Sequence, residues 1–162
     1  MLAAIGVLVV TSAEAADSKT RLQALGDRVF PRLTAIYRFT GVADNSGGDF
    51  TGYTTVFHCT NFSAQSQTIR FTFRDYSNSI LAQPSYTFLP LRTYSIATKD
   101  VSSFDLDDVV SIFGSINQGA VNIAATNGNI HCAAQIIDAA ALTPLGVALS
   151  GARLNSLVGI QE

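Results

Sequence analysis

Beyond residue 33 the chain alternates. In "TIRFTFRDY", Ile69, Phe71 and Phe73 fall on one face, while Arg70, Thr72 and Arg74 fall on the other. A period of two marks a strand with one face buried. "TTVFHCTNF" alternates as well, with Phe57 and Cys59 on one face and Val56 and His58 on the other. The polar "SAQSQ" between these runs predicts a hairpin. Upstream, "TAIYRFTGV" is expected to form a first strand with Tyr37 and Phe39 together, and "ADNSGGDFTG" a loop. Downstream, Ser77 to Ser79 turn the chain, "SYTFLP" forms a strand, and Pro90 with Arg92 marks a corner into "TYSIATKD".

The strongest local signal is "GAVNIAATNGNIHCAAQIIDA". Asn127-Gly128 suits a two-residue type I′ turn, because both positions accept positive φ. That turn would set Ala125 opposite Ile130, Ala124 opposite His131 and Ile123 opposite Cys132. "PLGVALSGARLNSLVGI" adds one or two strands. In "SSFDLDDVVSIFG", Ser102 with Asp105 resembles a capping box and predicts a short helix or turn. Near the start, "DSKTRLQALGDRVFPRL" predicts a helical stretch from Ser18 to Leu25, capped by Asp17 and stopped at Gly26. The expected fold is all-β: a single antiparallel β-sandwich of about seven or eight strands, with a short N-terminal helical stretch. Its 162 residues suit one domain, and no internal repeat or linker interrupts them.

The opening "MLAAIGVLVVTSAEAADSK" has a different character. Leu2 to Val10 is apolar but far short of the ~20 residues that span a bilayer. Ala13-Glu14-Ala15 fits the small-x-small cleavage pattern of a secretory leader. With nothing positive before Lys19, that reading implies a leader truncated at its start; the competing reading is a buried N-terminal strand. The expected organisation is a leader over 1–15, an N-terminal segment over 16–32 and a sandwich over 33–162. The expected location is periplasmic or extracellular, with no membrane span in the mature chain.

Formal charge is −2, and removing Glu14 leaves 10 bases against 11 acids. No electrostatic case exists for nucleic acid or anionic lipid. Only 14% of residues are charged, so the surface repels its own copies weakly and permits assembly.

Both histidines and both cysteines lie in two His-Cys dipeptides, His58-Cys59 and His131-Cys132. Side-chain parity turns both cysteines inward and both histidines outward, unless a bulge reverses one. Two inward cysteines in an exported chain are expected to join, so a Cys59–Cys132 disulfide is predicted, within a sheet or between sheets. The same parity excludes a Cys2His2 metal cluster. A two-histidine surface site would require neighbouring strands; solvated histidines are preferred, and no metal or cofactor is expected.

Catalytic signatures are weak. No G-x-S-x-G elbow occurs, although Ser115 follows a glycine in "FGSIN". A disulfide removes the thiolate that a cysteine nucleophile needs. Asp105, Asp107 and Asp108 lack EF-hand spacing and fit a helix start better. Asp75 and Asp138 each follow a strand, where aspartate forms turns. Asn61-Phe62-Ser63 matches the N-glycosylation pattern, a frequent chance match. Tyr53, Tyr76, Tyr86 and Tyr94 lie near predicted strand ends, either as a ligand rim or, preferably, as plugs of the core.

The segments "VFHCTNFS", "TIRFTFRD", "TFLPLRTYSI" and "IHCAAQIIDAAALTP", spanning Thr55 to Pro144, resemble a recurrent pattern in small exported bacterial proteins of unknown function. More distantly they resemble the β-sandwich of the sensory rhodopsin transducer family, through the "PLRT" corner at Pro90 to Thr93. That resemblance implies a fold and a self-assembling subunit; the leader and disulfide argue against a cytoplasmic signalling role. The expected function is a non-enzymatic structural or protein-interaction module, a homo-oligomer or the partner of an envelope protein. The alternative is a glycan or small-molecule binding module.

Overall fold

The computed structural model describes residues 32–45, 49–103, 105–110, 112, 114–143 and 145–154. The chain divides after Arg32, and the second unit, Leu33–Glu162, carries the fold. The expected leader over 1–15 and helical stretch over 18–25 lie outside the described residues.

Among the described residues eleven strands form, more than the seven or eight expected: β1 (Thr34–Asp44), β2 (Tyr53–Asn61), β3 (Gln67–Arg74), β4 (Ile80–Ala82), β5 (Ser85–Phe88), β6 (Thr93–Ala97), β7 (Asp108–Val109), β8 (Ile116–Ala125), β9 (Ile130–Asp138), β10 (Val147–Ala148) and β11 (Gly151–Arg153). The surplus consists of short edge pieces such as β7 and β10, too brief for periodicity to reveal. No helix occurs among the described residues.

The strands make two sheets. One has the order β11-β1-β8-β3, with β4 and β5 both pairing along the free side of β3. The other has the order β10-β9-β2-β6-β7. Every pairing is antiparallel except β6 with β7. The sheets face each other in a sandwich-like arrangement. Phe57 of one sheet meets Phe39, Phe71 and Phe73 of the other edge-on at 5.7, 5.7 and 5.8 Å between ring centres. These rings are buried together with Ile69, Val121, Ile123, Ile130 and Cys59. Burying one such side chain is worth about 1.5–3 kcal/mol, so this layer is the main source of stability.

Two expected hairpins are corrected. β2 and β3 lie in different sheets, and so do β8 and β9. "SAQSQ" and Asn127-Gly128 are therefore arches between sheets. Asn127 and Gly128 are absent from the positive-φ positions that a type I′ turn requires. Asn129 instead donates its backbone N–H to the Asn127 side chain at 2.9 Å. Alternation is equally satisfied by a hairpin or an arch, because both keep the apolar face inward. Ile123 pairs with Tyr37 and Phe71, and Cys132 pairs with Cys59. The strand that turns back after Ser77–Ser79 does form a hairpin: β4 and β5 return along β3. The chain then changes sheets at Pro90 to Arg92, where Leu91 takes a left-handed φ of 55°.

The segment around Ser102 and Asp105 is not a helix. Val101 and Leu106 lie over the outer face of the second sheet, against Val56, Ala97, Ile137 and Ala139. A capping box starts a helix only when nothing better takes the apolar residues, and here a second small core takes them.

Candidate functional site

β2 and β9 run side by side through Tyr53↔Asp138 to Asn61↔Ile130, with Cys59 directly opposite Cys132. Their Cα atoms are 4.1 Å apart and their sulfurs 2.09 Å apart, a disulfide between neighbouring strands of one sheet. The close Cα spacing fits the narrow pairs of an antiparallel ladder. Cys59 is fully buried and Cys132 partly so.

Adjacent positions turn the histidines to the opposite face. His58 is opposite Ala133 and His131 opposite Thr60, so the two are diagonal neighbours on the outer face. His58 Nδ1 lies 2.9 Å from the Ser95 hydroxyl, and its Nε2 lies 3.4 Å from the Gln135 amide nitrogen. His58 thus shares one hydrogen bond with Ser95 through Nδ1 and has Gln135 beside Nε2. Burial lowers the His58 pKa and favours the neutral ring. The Asp107 carboxylate accepts the Ser95 backbone N–H at 2.6 Å, and its own N–H returns to the Ser95 carbonyl at 2.8 Å. The row His58, Ser95 and Gln135 ties three strands together.

His131 is 3.1 Å from the guanidinium of Arg153, which also donates to the Gly128 carbonyl at 2.7 Å and lies over the Tyr37 ring. A guanidinium against Nε2 occupies the position a cation would take. Among the described residues, no group of three or more His, Cys, Asp or Glu converges as metal ligands.

The four tyrosines do not gather. Tyr53 begins β2, whereas Tyr94 is paired with Cys59 six residues along, about 20 Å away at strand rise. Tyr94 stacks on Phe88 with ring centres 4.1 Å apart and accepts the Leu89 N–H at 3.0 Å. Tyr86 packs edge-on to Phe71, and burial, aided by the facing Asp108, raises its phenol far above the ordinary value. Tyr76 is exposed in the β3–β4 turn. Tyr53 lines a shallow cavity of about 360 Å³ shared with Gly52, Ile136, Ile137, Asp138 and Leu145.

The aspartates expected in turns are found there. Asp75 Oδ1 accepts from Ser77 N, Ser77 Oγ and Ser79 N at 2.9, 2.7 and 2.9 Å, and the Ser77 side-chain bond is the main reason its carboxyl sits below the usual range. Asp138 accepts from Ala140 N at 3.0 Å. The Asp105 to Asp108 group is corrected, since no helix start stands beside it. Asn61, in the glycosylation pattern, is 0% exposed. Its amide donates to the carbonyls of Gln65, Phe88 and Leu89 at 2.9, 3.1 and 3.1 Å, and its oxygen accepts Ser63 N at 3.0 Å. The nitrogen a glycan would need is fully engaged in the folded protein.

Two features escaped the sequence. One is an apolar edge where Leu142, Leu145 and Val147 are exposed, Leu145 by 96%; the alternation of Leu145 and Val147 reads as a buried face. The other is a buried ion pair, Lys99 Nζ to Asp44 Oδ1 at 3.2 Å, with Asn45 beside it. Its signal was compositional: Lys99 is the single lysine after Lys19 in a chain otherwise served by arginine.

Compared with protein-family models, with curated proteins and with solved structures, the chain matches none. No helix among the described residues is long and apolar enough to cross a membrane.

Proposed function

We propose that the chain is a non-enzymatic, extracytoplasmic β-sandwich that serves as a structural or protein-interaction module and assembles with copies of itself. The observation carrying this reading is the apolar edge. Val147 belongs to β10, which ends its sheet and pairs through only two residues, Val147↔Ile136 and Ala148↔Gln135. An edge strand bearing exposed apolar side chains is a template for another chain. Covering Leu142, Leu145 and Val147 would contribute roughly 5–9 kcal/mol, against an association cost of about 4–15 kcal/mol. The contact is therefore weak and concentration-dependent unless neighbouring surface joins it. Low charge density leaves little repulsion to oppose it. The extracytoplasmic location is supported by the disulfide and by the leader-like opening. The likeness to the sensory rhodopsin transducer sandwich enters only through fold and self-assembly.

Light scattering behind size exclusion tests the reading. The wild type is expected to gain mass with concentration, and Leu145→Asp to remain monomeric. A wild type that stays monomeric at millimolar concentration overturns it. A second reading, glycan or small-molecule binding, is favoured by the cavity beside Tyr53, where a ring face and the Asp138 carboxylate adjoin. A glycan array that lights up with wild type and goes dark with Tyr53→Ala would support that alternative; silence across it counts against it.

A further inference from the structure

The Lys99 site is built more like a reacting centre than like an ordinary ion pair. Lys99 follows β6 and is 5% exposed; Asp44 ends β1 and is 4% exposed. Arginine is the usual choice for a buried ion pair, because its fork binds carboxylate with two bonds and stays charged. This chain places arginine at its other described cationic positions, Arg32, Arg38, Arg70, Arg74, Arg92 and Arg153, and keeps lysine for this one. What lysine offers in its place is an amine that becomes nucleophilic on losing a proton.

An electrophile stands beside it. The Asn45 carboxamide oxygen is 3.0 Å from Lys99 Nζ, so the amide carbon lies one C=O bond, about 1.2 Å, beyond the atom already in contact. The same oxygen accepts the Tyr53 backbone N–H at 3.1 Å, a donor placed to hold negative charge there. Lys99 is anchored from a third side by the Thr51 carbonyl at 3.1 Å. Gly52 has a φ of +65°, and a side chain there would run into the Asn45 carboxamide. The loop is thus shaped around that group.

We propose that Lys99 and Asn45 form an intramolecular isopeptide bond, with Asp44 as the proton carrier. Asp44 Oδ1, 3.2 Å from Nζ, is placed to take one ammonium proton as the attack begins, leaving a neutral amine. Nζ attacks the Asn45 Cγ, and charge gathers on the oxygen facing the Tyr53 N–H. The tetrahedral centre collapses, the C–Nδ2 bond breaks, and the nitrogen leaves with the amine proton and the Asp44 proton as ammonium. The products are one new C–N amide and a regenerated carboxylate; nothing is oxidised or reduced. The bond joins the end of β1 in one sheet to the segment after β6 in the other, 54 residues apart. It acts as a second covalent staple at the opposite end of β2 from Asn61.

The test is the intact mass of purified full-length or naturally processed protein, measured after reduction so that the disulfide does not contribute. The wild type is expected about 17 Da, one ammonia, below the mass of its sequence. An endoproteinase specific for lysine is expected to cut after Lys19 and leave 20–162 uncut, and fragment spectra to show a branched peptide joining Asn45 to Lys99. Lys99→Arg and Asn45→Ala are expected at full sequence mass. Asp44→Asn is expected to fold and yet stay at full mass, which separates proton transfer from positioning. A reduced wild type at full mass with Lys99 cut normally overturns the proposal. A loss of about 18 Da with Lys99 joined to Asp44 overturns the assignment of Asn45.

Discussion

Replacing Asn61 separates a structural bracket from a surface asparagine. Its side chain is fully buried and makes four hydrogen bonds, donating to three carbonyls and accepting one N–H. At about 1 kcal/mol net per bond, Asn61→Ala removes roughly 2–4 kcal/mol, the lower figure applying where water reaches the freed carbonyls. Asn61→Asp is worse near neutral pH. It sets a carboxylate against the Gln65, Phe88 and Leu89 carbonyls, adding another ~1–3 kcal/mol. Burial and these carbonyls raise the introduced carboxyl above its unfolded pKa of about 3.9. The folded state then holds the proton more tightly, so the variant loses stability as pH rises through that window. Urea unfolding of wild type, Asn61→Ala and Asn61→Asp at pH 4 and 7.5 reads this directly. The excess loss of Asn61→Asp over Asn61→Ala shrinks at pH 4. An alanine variant within ~0.5 kcal/mol of wild type, or an excess independent of pH, refutes the bracket.

Three further outcomes follow from the same geometry. Replacing both Cys59 and Cys132 by alanine opens a loop of 73 residues and removes about 4 kcal/mol by loop entropy, seen as a lower urea midpoint; an unchanged midpoint contradicts the staple. His58 has a folded pKa below 6.5, so the unfolded chain takes the proton first, and stability present above that value is lost as pH falls beneath it. His58→Gln should flatten the pH profile between 7.5 and 5, and identical slopes would count against the buried neutral ring. Gly52→Ala combines left-handed φ with a clash against Asn45, for a loss of at least ~1–2 kcal/mol by thermal unfolding, where a neutral result would show the loop adapts.

Periodicity proved to constrain faces and not partners. Val121, Ile123 and Ala125 point inward with Ile130 and Ala134, as alternation predicts, yet β8 and β9 belong to different sheets. An arch and a hairpin share the same inward pattern, and only long-range pairing distinguishes them. The same holds for β2 and β3. What was legible is what parity alone decides: two inward sulfurs, two outward imidazoles and an aromatic core. The packing of Val101 and Leu106 was not legible because a capping box is local, while the Val56 and Ile137 surface they cover is distant in sequence. Lys99 meets Asn45 from 54 residues away, so no local pattern announces it.

The proposed extracytoplasmic location and the Cys59–Cys132 bond stand or fall together. Thiol labelling of the native protein, denatured without reductant after recovery from outside the cytoplasm, tests this most directly. No label before reduction and two labels after it are predicted; two labels without reductant, or protein found only inside the cell, would contradict it.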